Sequence, residues 1–340
     1  MTTSIGTDVA QAAHLLKQGA VVAIPTETVY GLAADTFNEE AVLTIFSVKQ
    51  RPAFDPLIVH VRDREQLDRV AQVPAEAEAL IARFWPGPLT LVLPKRPAAP
   101  DLVTGFAATG GFARGAMWRA VDVTTRVNAA GETRCVRMPA HPMTRALLNA
   151  LDTPLAAPSA NPFGYVSPTT AQHVMDQLGG RIPYILDGGA CTVGVESTIL
   201  GRDAKGRWVL YRPGGIAVES LEALVGEVHA ASQAAKPQAP GMLESHYAPR
   251  KPVHVGDVPA LLRRFAGRAV GVISFRHEHH AHRCEVLSPE GDLAAAARHL
   301  FAVLRELDTS DCQVIVAERF PEEGLGRAIN DRLRRAAAGR

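Results

Sequence analysis

The stretch that most constrains the fold lies near the start of the chain and reads AVVAIPTETVYGLAADTFNEEAVLTIFSVKQRPAFDPLIVHV. Its first five residues, 20–24, form an apolar, β-branched run between a glycine and a proline, which predicts a buried strand. Apolar residues at helical spacing predict a helix over Glu39–Lys49, and residues 57–61 predict a second strand. A hydroxyl-rich turn and the end of the helix are thereby brought beside two strand ends, as a site for a small polar substrate next to a polyphosphate requires.

Length and composition indicate an ordinary globular protein of two domains. The chain has 340 residues, of which 47% are hydrophobic and 21% charged, and its net charge is +1. With so little net charge, any contact with RNA must depend on a local patch. No apolar run approaches the roughly 20 residues that span a bilayer, and the N-terminus does not resemble a signal peptide, so we expect a cytoplasmic protein with no membrane partner.

The cysteine pattern points to neither disulfides nor a thiolate metal site. The four cysteines are scattered without a CxxC pair. We therefore expect buried thiols at Cys135, Cys191, Cys284 and Cys312.

Composition divides the chain into three parts. Residues 1–226 carry the predicted catalytic domain, and 251–340 alternate strand and helix patterns, as a small α/β domain does. Between them, residues 227–250 contain an alanine-, glutamine- and proline-rich segment, which predicts a linker.

The first domain is interrupted at about 105–131 by a segment without a sustained period. One interpretation is a flap that contacts RNA, because Arg114, Arg119 and Arg126 lie near Trp118. A tolerated surface insertion is the favoured interpretation, because long loops cost little free energy to add.

Several motifs occur in an informative order. PTETVYGL, KQRP and DPLIVHV resemble the nucleotide-binding core of the threonylcarbamoyl-AMP synthases, the YrdC-like family, and WPGPLT belongs to the same resemblance. The ending GLGRAINDRLRRAA resembles the C-terminal domain of the longer, two-domain members. The resemblance covers nearly the whole chain except the insertion. It implies an α/β fold with a YrdC-like twisted mixed sheet and flanking helices, plus a second, smaller Rossmann-like α/β domain.

The resemblance also implies an activity. Members of the family are nucleotidyltransferases that make threonylcarbamoyl-AMP from L-threonine, bicarbonate and ATP, with release of pyrophosphate, for the N6-threonylcarbamoyladenosine next to the anticodon of tRNA. Mg²⁺ is expected with ATP, and tRNA and a separate threonylcarbamoyl-transferring complex are the implied partners. A carbamate oxygen must attack the α-phosphorus, so fixed cations and aligned donors have to hold two anionic groups together.

Four cations fall at the ends of predicted strands or a helix, where an α/β sheet presents its ligands: Lys49, Arg51, Arg137 and Arg212. Arginine grips a carboxylate or phosphate with a planar fork, whereas lysine supplies a point charge. By resemblance, Lys49 and Arg51 are catalytic, Arg137 binds the threonine carboxylate, and Arg51 and Arg212 contact the nucleotide.

The resemblance assigns the remaining site residues to the two substrates. The threonine pocket would be completed by Thr28, His60, Ala157 and Ser197, and further ATP contacts would come from Asp55, Thr133, Ser159, Ser167 and Tyr247. Tyr247 follows the alanine-, glutamine- and proline-rich segment of the linker, so that segment would have to lie over the site as a lid.

Asp55 departs from the family, which usually has asparagine there. An aspartate faces phosphate badly unless Mg²⁺ or a lysine intervenes, so Asp55 either takes part in metal binding or turns away.

Two other functions remain open at this point. One is a non-catalytic module that binds double-stranded RNA or tRNA, and the other is a carbamoyltransferase of the same fold, for which the chain lacks a zinc-finger or acylphosphatase-like segment. Dependence on threonine separates both from the synthase.

A cluster of histidines between two predicted strands, at positions 277, 279, 280 and 282, allows metal binding. Its spacing predicts a simple loop instead, because a short loop with that spacing fixes no tetrahedral site.

Overall fold

The computed structural model describes residues 1–52, 55–96, 132–231, 239–242 and 246–338. The predicted insertion lies outside these residues, as do parts of the predicted linker. The helices are α1 Val9–Lys17, α2 Glu39–Lys49, α3 Arg64–Val70, α4 Glu78–Phe84, α5 Pro142–Asn149, α6 Ala171–Leu178, α7 Val218–Val225, α8 Val258–Arg264, α9 Leu293–Thr309 and α10 Gly326–Ala337, with a short 3₁₀ helix at Ala75–Ala77.

The strands are short, and several of them follow one another directly in the element order. They are β1 Ser4–Gly6, β2 Val22–Ile24, β3 Gly31–Asp35, β4 Ile58–His60, β5 Leu89–Pro94, β6 Thr133–Arg137, β7 Leu155–Ala156, β8 Tyr184–Leu186, β9 Thr198–Arg202, β10 Trp208–Arg212, β11 Val228–Ala230, β12 Val253–Val255, β13 Val270–Ser274, β14 Arg283–Val286 and β15 Val314–Ala317.

Strands β1 to β11 form one mixed sheet in the order β1-β8-β2-β3-β7-β4-β6-β5-β9-β10-β11. Parallel and antiparallel neighbours alternate in its centre: β7 pairs antiparallel with β4, β4 parallel with β6, and β6 antiparallel with β5. Strands far apart in sequence thus become neighbours, and the C-terminal ends of β4 and β6 lie close to the start of β9. The predicted mixed sheet with flanking helices is confirmed.

The second sheet is entirely parallel, in the order β12-β15-β13-β14. Helix α8 connects β12 to β13 and α9 connects β14 to β15, whereas α10 follows the last strand. Such helical crossovers cover the faces of a parallel sheet. The expected second, smaller α/β domain is therefore confirmed, and its bounds at 251–340 stay a prediction.

Some local predictions need correction. The sequence predicts Thr7 or Asp8 as the cap of α1, and Asp8 caps it, since its Oδ1 accepts from the N–H groups of Ala10 and Gln11. For α6 the sequence predicts Ser167 or Thr169. That prediction is wrong, because Thr170 caps α6 through its hydroxyl, which accepts from the His173 N–H. Strand β11 joins the first sheet beside β10, so the segment predicted as linker begins with a strand of that sheet.

The cores of the two sheets meet. One cluster of buried apolar residues combines Val29, Tyr165 and Val195 of the first domain with Leu300 and Leu333 of α9 and α10. A shared apolar core resembles the interior of a single domain, so the second domain packs closely against the first.

All four cysteines are thiols, and one of them is not fully buried. Cys135, Cys191 and Cys312 are buried, whereas Cys284 is only half-buried. Cys284 lies on β14 at the edge of the small sheet, where one side of the strand has no neighbour. No helix among the described residues is both long and apolar enough to cross a bilayer.

Candidate active site

A cavity that opens to solvent lies over the centre of the large sheet. Its walls come from the turn after β2, the segment after α2, β4 and β6, the segments after β7 and before β9, the end of β10, and the linker. The lining residues are Thr26, Thr28, Val29, Gly31, Arg51, Ile58, His60, Arg137, Ala157, Pro158, Ser159, Glu196, Ser197, Arg212, Pro240, Gly241, His246 and Tyr247.

Arg137, at the end of β6, is held rigidly in the cavity wall. Its Nη1 donates to Thr28 Oγ1 at 2.8 Å and its Nε to the Gly87 carbonyl at 3.2 Å, while Nη2 forms a buried ion pair with Glu27 Oε1. The other oxygen of Glu27 accepts from the Ala140 N–H at 3.1 Å. The guanidinium is therefore oriented before any ligand arrives, which reduces the ordering cost of binding.

His60, in β4, is a neutral acceptor in the wall of the cavity. Burial, and secondarily the charge of Arg137, lower the pKa of His60 to about 3, against a weaker opposing effect of the Ile58 carbonyl. Its Nδ1 donates to that carbonyl at 3.2 Å. Nδ1 therefore carries the proton of the neutral ring, and Nε2 is the nitrogen that can accept a hydrogen bond.

Arg51 lies just after α2 and pairs with Asp55. Nη2 of Arg51 is 2.8 Å from Asp55 Oδ2 and 2.9 Å from the Pro56 carbonyl, and both side chains are buried. Burial raises the pKa of Asp55, and the charges of Arg51, Lys49 and Arg212 oppose that rise. Arg51 lines the cavity, whereas Asp55 lies behind it.

Lys49, predicted as catalytic, is 1% exposed and does not line the cavity. Its Nζ donates to the carbonyls of Ser159 and Asn161, at 2.5 Å each. Burial, together with the nearby charge of Arg51, lowers the pKa of Lys49 well below its usual value, and Asp55 partly offsets this. In this conformation Lys49 supports the turn that carries Ser159.

Arg212, at the end of β10, fixes the segment around Ser197. Its Nε and Nη2 donate to the Ser197 carbonyl at 3.2 and 2.9 Å, and Nη1 donates to the Pro240 carbonyl of the linker at 3.2 Å. The Ser197 hydroxyl also lies 2.7 Å from the hydroxyl of Thr90 in β5. One guanidinium thus joins the sheet to the linker.

The linker forms the roof of the cavity through Pro240, Gly241, His246 and Tyr247. Tyr247 has a φ of 62°, which is rare for an aromatic residue, so packing has to hold it there. Its ring lies 4.1 Å from the ring of His246 and 5.7 Å from that of Phe301 in α9. The Tyr247 side chain therefore lies between the cavity and the C-terminal domain.

Ser167, predicted as an ATP contact, is buried and does not line the cavity. Its hydroxyl donates to Glu196 Oε1 at 2.5 Å, and Glu196 does line the cavity. Ser167 thus supports a wall residue instead of forming the wall.

Thr133 lies at the opposite end of β6 from Arg137, roughly 13 Å along the strand. It lies next to the residues that the structure does not describe, and it is absent from the cavity lining.

The structure brings most of the residues singled out from sequence to one cavity and leaves four outside its lining. Those in the lining are Thr28, Arg51, His60, Arg137, Ala157, Ser159, Ser197, Arg212 and Tyr247, and those outside are Lys49, Asp55, Thr133 and Ser167. Their roles toward ligands stay predictions.

Sequence reasoning missed several residues that complete the site. Glu27 lies inside the PTETVYG motif and Glu196 directly precedes Ser197, so both were in view without an assigned role. His246 precedes Tyr247 in the same way. Arg332, which bonds Glu196 from the C-terminal domain, lies in the ending GLGRAINDRLRRAA but had no assigned role, because an arginine in a helix usually faces solvent.

The histidine cluster forms a loop between β13 and β14, as predicted. His282 lies close to Asp311 and Cys312, with its Nε2 2.9 Å from Asp311 Oδ2. His282 and Asp311 are exposed and already bonded to each other, and Cys312 is buried in the apolar core.

Comparison with known proteins agrees with this architecture. A family model of the Sua5, YciO and YrdC proteins, described as "Telomere recombination", matches residues 14–214, and one described as "Threonylcarbamoyl-AMP synthase, C-terminal domain" matches residues 216–338.

Full-length relatives and a solved structure extend the match. The threonylcarbamoyl-AMP synthase of Bacillus subtilis is 41% identical, over 98% of this chain and 93% of its own length. That of Pyrococcus abyssi is 40% identical, over 97% and 94%. The crystal structure of P. abyssi Sua5 complexed with L-threonine superposes with a TM-score of 0.86 at 37% identity, covering 99% of this chain and 97% of that one. The chain therefore belongs to the threonylcarbamoyl-AMP synthase family, in its two-domain form.

Proposed function

We propose that the cavity joins L-threonine, bicarbonate and ATP into threonylcarbamoyl-AMP and pyrophosphate, the reaction of the family to which the chain belongs. The observation that carries this proposal is the convergence of three buried arginines, Arg51, Arg137 and Arg212, on one cavity beside the neutral His60. A site that holds a carboxylate next to a polyphosphate needs such fixed cations, because the substrates would otherwise repel each other.

Threonine binds at the Arg137 end of the cavity in this proposal. The guanidinium of Arg137 and the hydroxyl of Thr28, 2.8 Å apart, receive the substrate carboxylate. His60 Nε2 accepts a hydrogen bond from the substrate nitrogen or hydroxyl, and the small side chain of Ala157 leaves room for the threonine methyl. The one methyl that distinguishes threonine from serine contributes only about 1–3 kcal/mol of discrimination.

ATP binds toward Arg51, Ser159, Arg212 and Tyr247. Arg51 and Arg212 come from different elements and face the same cavity, so they can hold phosphate oxygens from two sides. The carbamate that forms on the threonine nitrogen then has its oxygen directed at the α-phosphorus, and pyrophosphate leaves. The protein contributes positioning and charge stabilisation in this scheme, and His60 stays neutral throughout.

Mg²⁺ fits this site as a companion of the nucleotide. Among the described residues, none of the cavity walls contains a group of three ligand-bearing side chains suited to a metal ion. Asp55 is already paired with Arg51 and has Lys49 and Arg212 nearby, which disfavours a second cation there. We therefore propose that phosphate oxygens and water hold Mg²⁺ and that it neutralises phosphate charge, as is usual for this ion.

The product has to be passed on, because threonylcarbamoyl-AMP is an activated mixed anhydride. We propose that a separate threonylcarbamoyl-transferring complex moves the group to tRNA in the cytoplasm. The four cysteines are thiols, which agrees with a reducing compartment.

The test is pyrophosphate release by the purified full-length chain, with ATP and bicarbonate, in the presence and absence of L-threonine. Release should require both threonine and bicarbonate, and mass spectrometry should detect threonylcarbamoyl-AMP. Serine and valine serve as matched substrate controls, because each differs from threonine by one group. Pyrophosphate release that does not depend on threonine, or an activity that requires carbamoyl phosphate, would contradict the proposal.

A further inference from the structure

The carboxylate of Glu196 lies between the cavity and the C-terminal domain. Glu196 is 6% exposed and is the only acidic side chain among the described residues that line the cavity. The two groups that react in the proposed function, the carbamate and the triphosphate of ATP, are both anionic. An uncompensated negative charge in this wall would therefore oppose their binding.

The compensating charge comes from the other domain. Arg332, in α10, is completely buried, and its Nε donates to Glu196 Oε2 at 2.7 Å. Its Nη1 donates to Asp331 Oδ2 at 2.8 Å, and its guanidinium carbon lies 4.9 Å from the centre of the Tyr247 ring. One side chain of the C-terminal domain thus contacts a carboxylate of the cavity wall and an aromatic residue of the cavity roof.

The second oxygen of Glu196 is also supported from the C-terminal domain, through Ser167. The Ser167 hydroxyl donates to Oε1 of Glu196 at 2.5 Å. Arg305, in α9, holds the backbone of that serine, with Nε 3.2 Å from the Ser167 carbonyl and Nη2 donating to the Val166 carbonyl. Both carboxylate oxygens of Glu196 therefore depend on arginines that the catalytic domain does not contain.

We propose that Arg332 is a positioning residue of the active site: it neutralises and orients Glu196, so that the C-terminal domain completes the wall of the nucleotide-binding cavity. The inference rests on the proposed function, because it concerns the binding of that reaction's substrates. Arg332 contacts neither the cavity nor a substrate directly. It acts through Glu196 and through the face of Tyr247.

The charges around Glu196 predict how its removal would behave with pH. The groups that face it are Arg332, Arg212, Ser167 and Tyr247. Burial tends to raise the pKa of Glu196, but the charges of Arg332 and Arg212 and the Ser167 hydrogen bond hold it below its usual value. Without Arg332, burial would raise this pKa, so the unpaired charge would develop as the pH rises.

The experiment compares Arg332→Gln, Glu196→Gln and the double variant in threonine-dependent pyrophosphate release, between about pH 6 and pH 9. In Arg332→Gln the KM for ATP should rise at least about tenfold at the alkaline end and should approach the wild-type value toward the acidic end. In the double variant, which removes the unpaired charge, the KM should return to within about threefold of that of Glu196→Gln alone.

The matched control is Arg327→Gln. Arg327 lies on the same helix and also pairs across the domains, with Glu219 at 2.7 Å. This pair is partly exposed, and neither residue lines the cavity. Its loss should leave the KM for ATP and its pH profile unchanged, because surface ion pairs contribute little.

Two outcomes would overturn the proposal. One is an Arg332→Gln enzyme with wild-type KM at every pH, and the other is a double variant no better than Arg332→Gln although circular dichroism shows both to be folded. If Arg332→Gln does not fold, the folded double variant decides: a KM near that of Glu196→Gln supports the proposal, and one tenfold higher contradicts it. Wild-type enzyme without threonine-dependent release would instead refute the proposed function itself.

Discussion

Two buried arginine–carboxylate pairs lie beside the cavity, and they differ in how well the carboxylate is satisfied. Glu27 accepts from both Arg137 and the Ala140 N–H, so each of its oxygens has a donor. Asp55 lies 2.8 Å from Arg51, but among the described residues neither of its oxygens makes a well-directed hydrogen bond. Both oxygens of Glu27 are fixed by hydrogen-bond donors, whereas the described residues hold the Asp55 carboxylate through the charge of Arg51.

This difference concerns the carboxylates and not the arginines. Arg51 is itself anchored, because its guanidinium also donates to the backbone carbonyls of Asp55 and Pro56. Arg137 has its geometry set before substrate binds, as selection of a carboxylate requires. Asp55 is a buried carboxylate with a raised pKa, caused by burial and opposed by Arg51, Lys49 and Arg212. Under the proposed function, a phosphate group of ATP at Arg51 would compete with Asp55 as the counter-ion of the guanidinium.

The largest effect is expected when the arginine of the Glu27–Arg137 pair is removed. We expect Arg137→Ala to reduce threonine-dependent pyrophosphate release by at least about 100-fold, because the partner of the threonine carboxylate is lost. Since Glu27 would be left buried and unpaired, the Glu27→Gln/Arg137→Ala variant serves as the control for folding. Unchanged turnover in either folded variant would remove Arg137 from the proposed carboxylate site.

An intermediate effect is expected when the carboxylate of the Glu27–Arg137 pair is replaced. In Glu27→Gln, Arg137 keeps its charge and its bond to Thr28 but loses an ionic anchor, so the KM for threonine should rise about tenfold with kcat little changed. The exposed Glu65→Gln is the matched control, and initial rates at saturating ATP provide the measurement. A loss confined to kcat would argue against an orienting role for Glu27.

The second pair should respond in the opposite direction. Asp55→Asn removes a negative charge beside Arg51, so we expect the KM for ATP to fall about threefold, with the KM for threonine unchanged. Asp68→Asn, at a partly exposed carboxylate of α3, is the control. A higher KM for ATP in Asp55→Asn would show that the carboxylate assists nucleotide binding, and the contrast between the two pairs would then fail.

The smallest effect concerns the roof that covers the cavity. Burial, together with the nearby positive charges of Arg51 and Lys49, lowers the pKa of His246 well below its usual value. Below about pH 6.5 the unfolded chain therefore gains a proton that the folded chain does not, and stability falls as the pH falls.

Burial likewise lowers the pKa of His60 to about 3 and that of His173 to about 4, so both contribute with the same sign. We expect His246→Phe to reduce the pH dependence of the free energy of unfolding between about pH 6.5 and 5.5. The reduction corresponds to the binding of one proton, at most about 1.36 kcal/mol per pH unit. Thermal unfolding followed by circular dichroism measures it as a smaller shift of the midpoint temperature with pH, with the exposed His280→Phe as control. An unchanged slope would mean that His246 is protonated in the folded chain.

Local patterns predicted most of the elements. The helix over Glu39–Lys49 has the predicted bounds, and Asn38 caps it while its last turn ends at Gln50 in a left-handed conformation. In the C-terminal domain the sequence pattern predicts strands at 252–255, 269–275, 284–287 and 313–317, and the bounds of β12 to β15 lie within one or two residues of these. Strand β3 was missed, because the short GLAAD segment follows a turn and contains alanine and glycine instead of β-branched residues.

The candidate site was predictable where a motif carried it and not where a distant residue completed it. Arg51, His60 and Arg137 lie in or beside recognisable segments, and they meet in one cavity. Lys49 had the same support from sequence but turns to two backbone carbonyls, because the end of α2 packs under the turn that contains Ser159. Only packing could decide which side of that wall its ammonium reaches.

The sequence by itself determined the family, the alternation of strands and helices, and most of the polar residues of the cavity, because these depend on local propensity and on motifs that lie within a few turns of chain. The tertiary structure decided which charges face each other: Glu27 with Arg137, Asp55 with Arg51, and Glu196 with Arg332 from the other domain. Two of these pairs join residues more than 100 positions apart. Their formation depends on strand order and domain packing, which bring together side chains whose separation in the sequence contains no local signal.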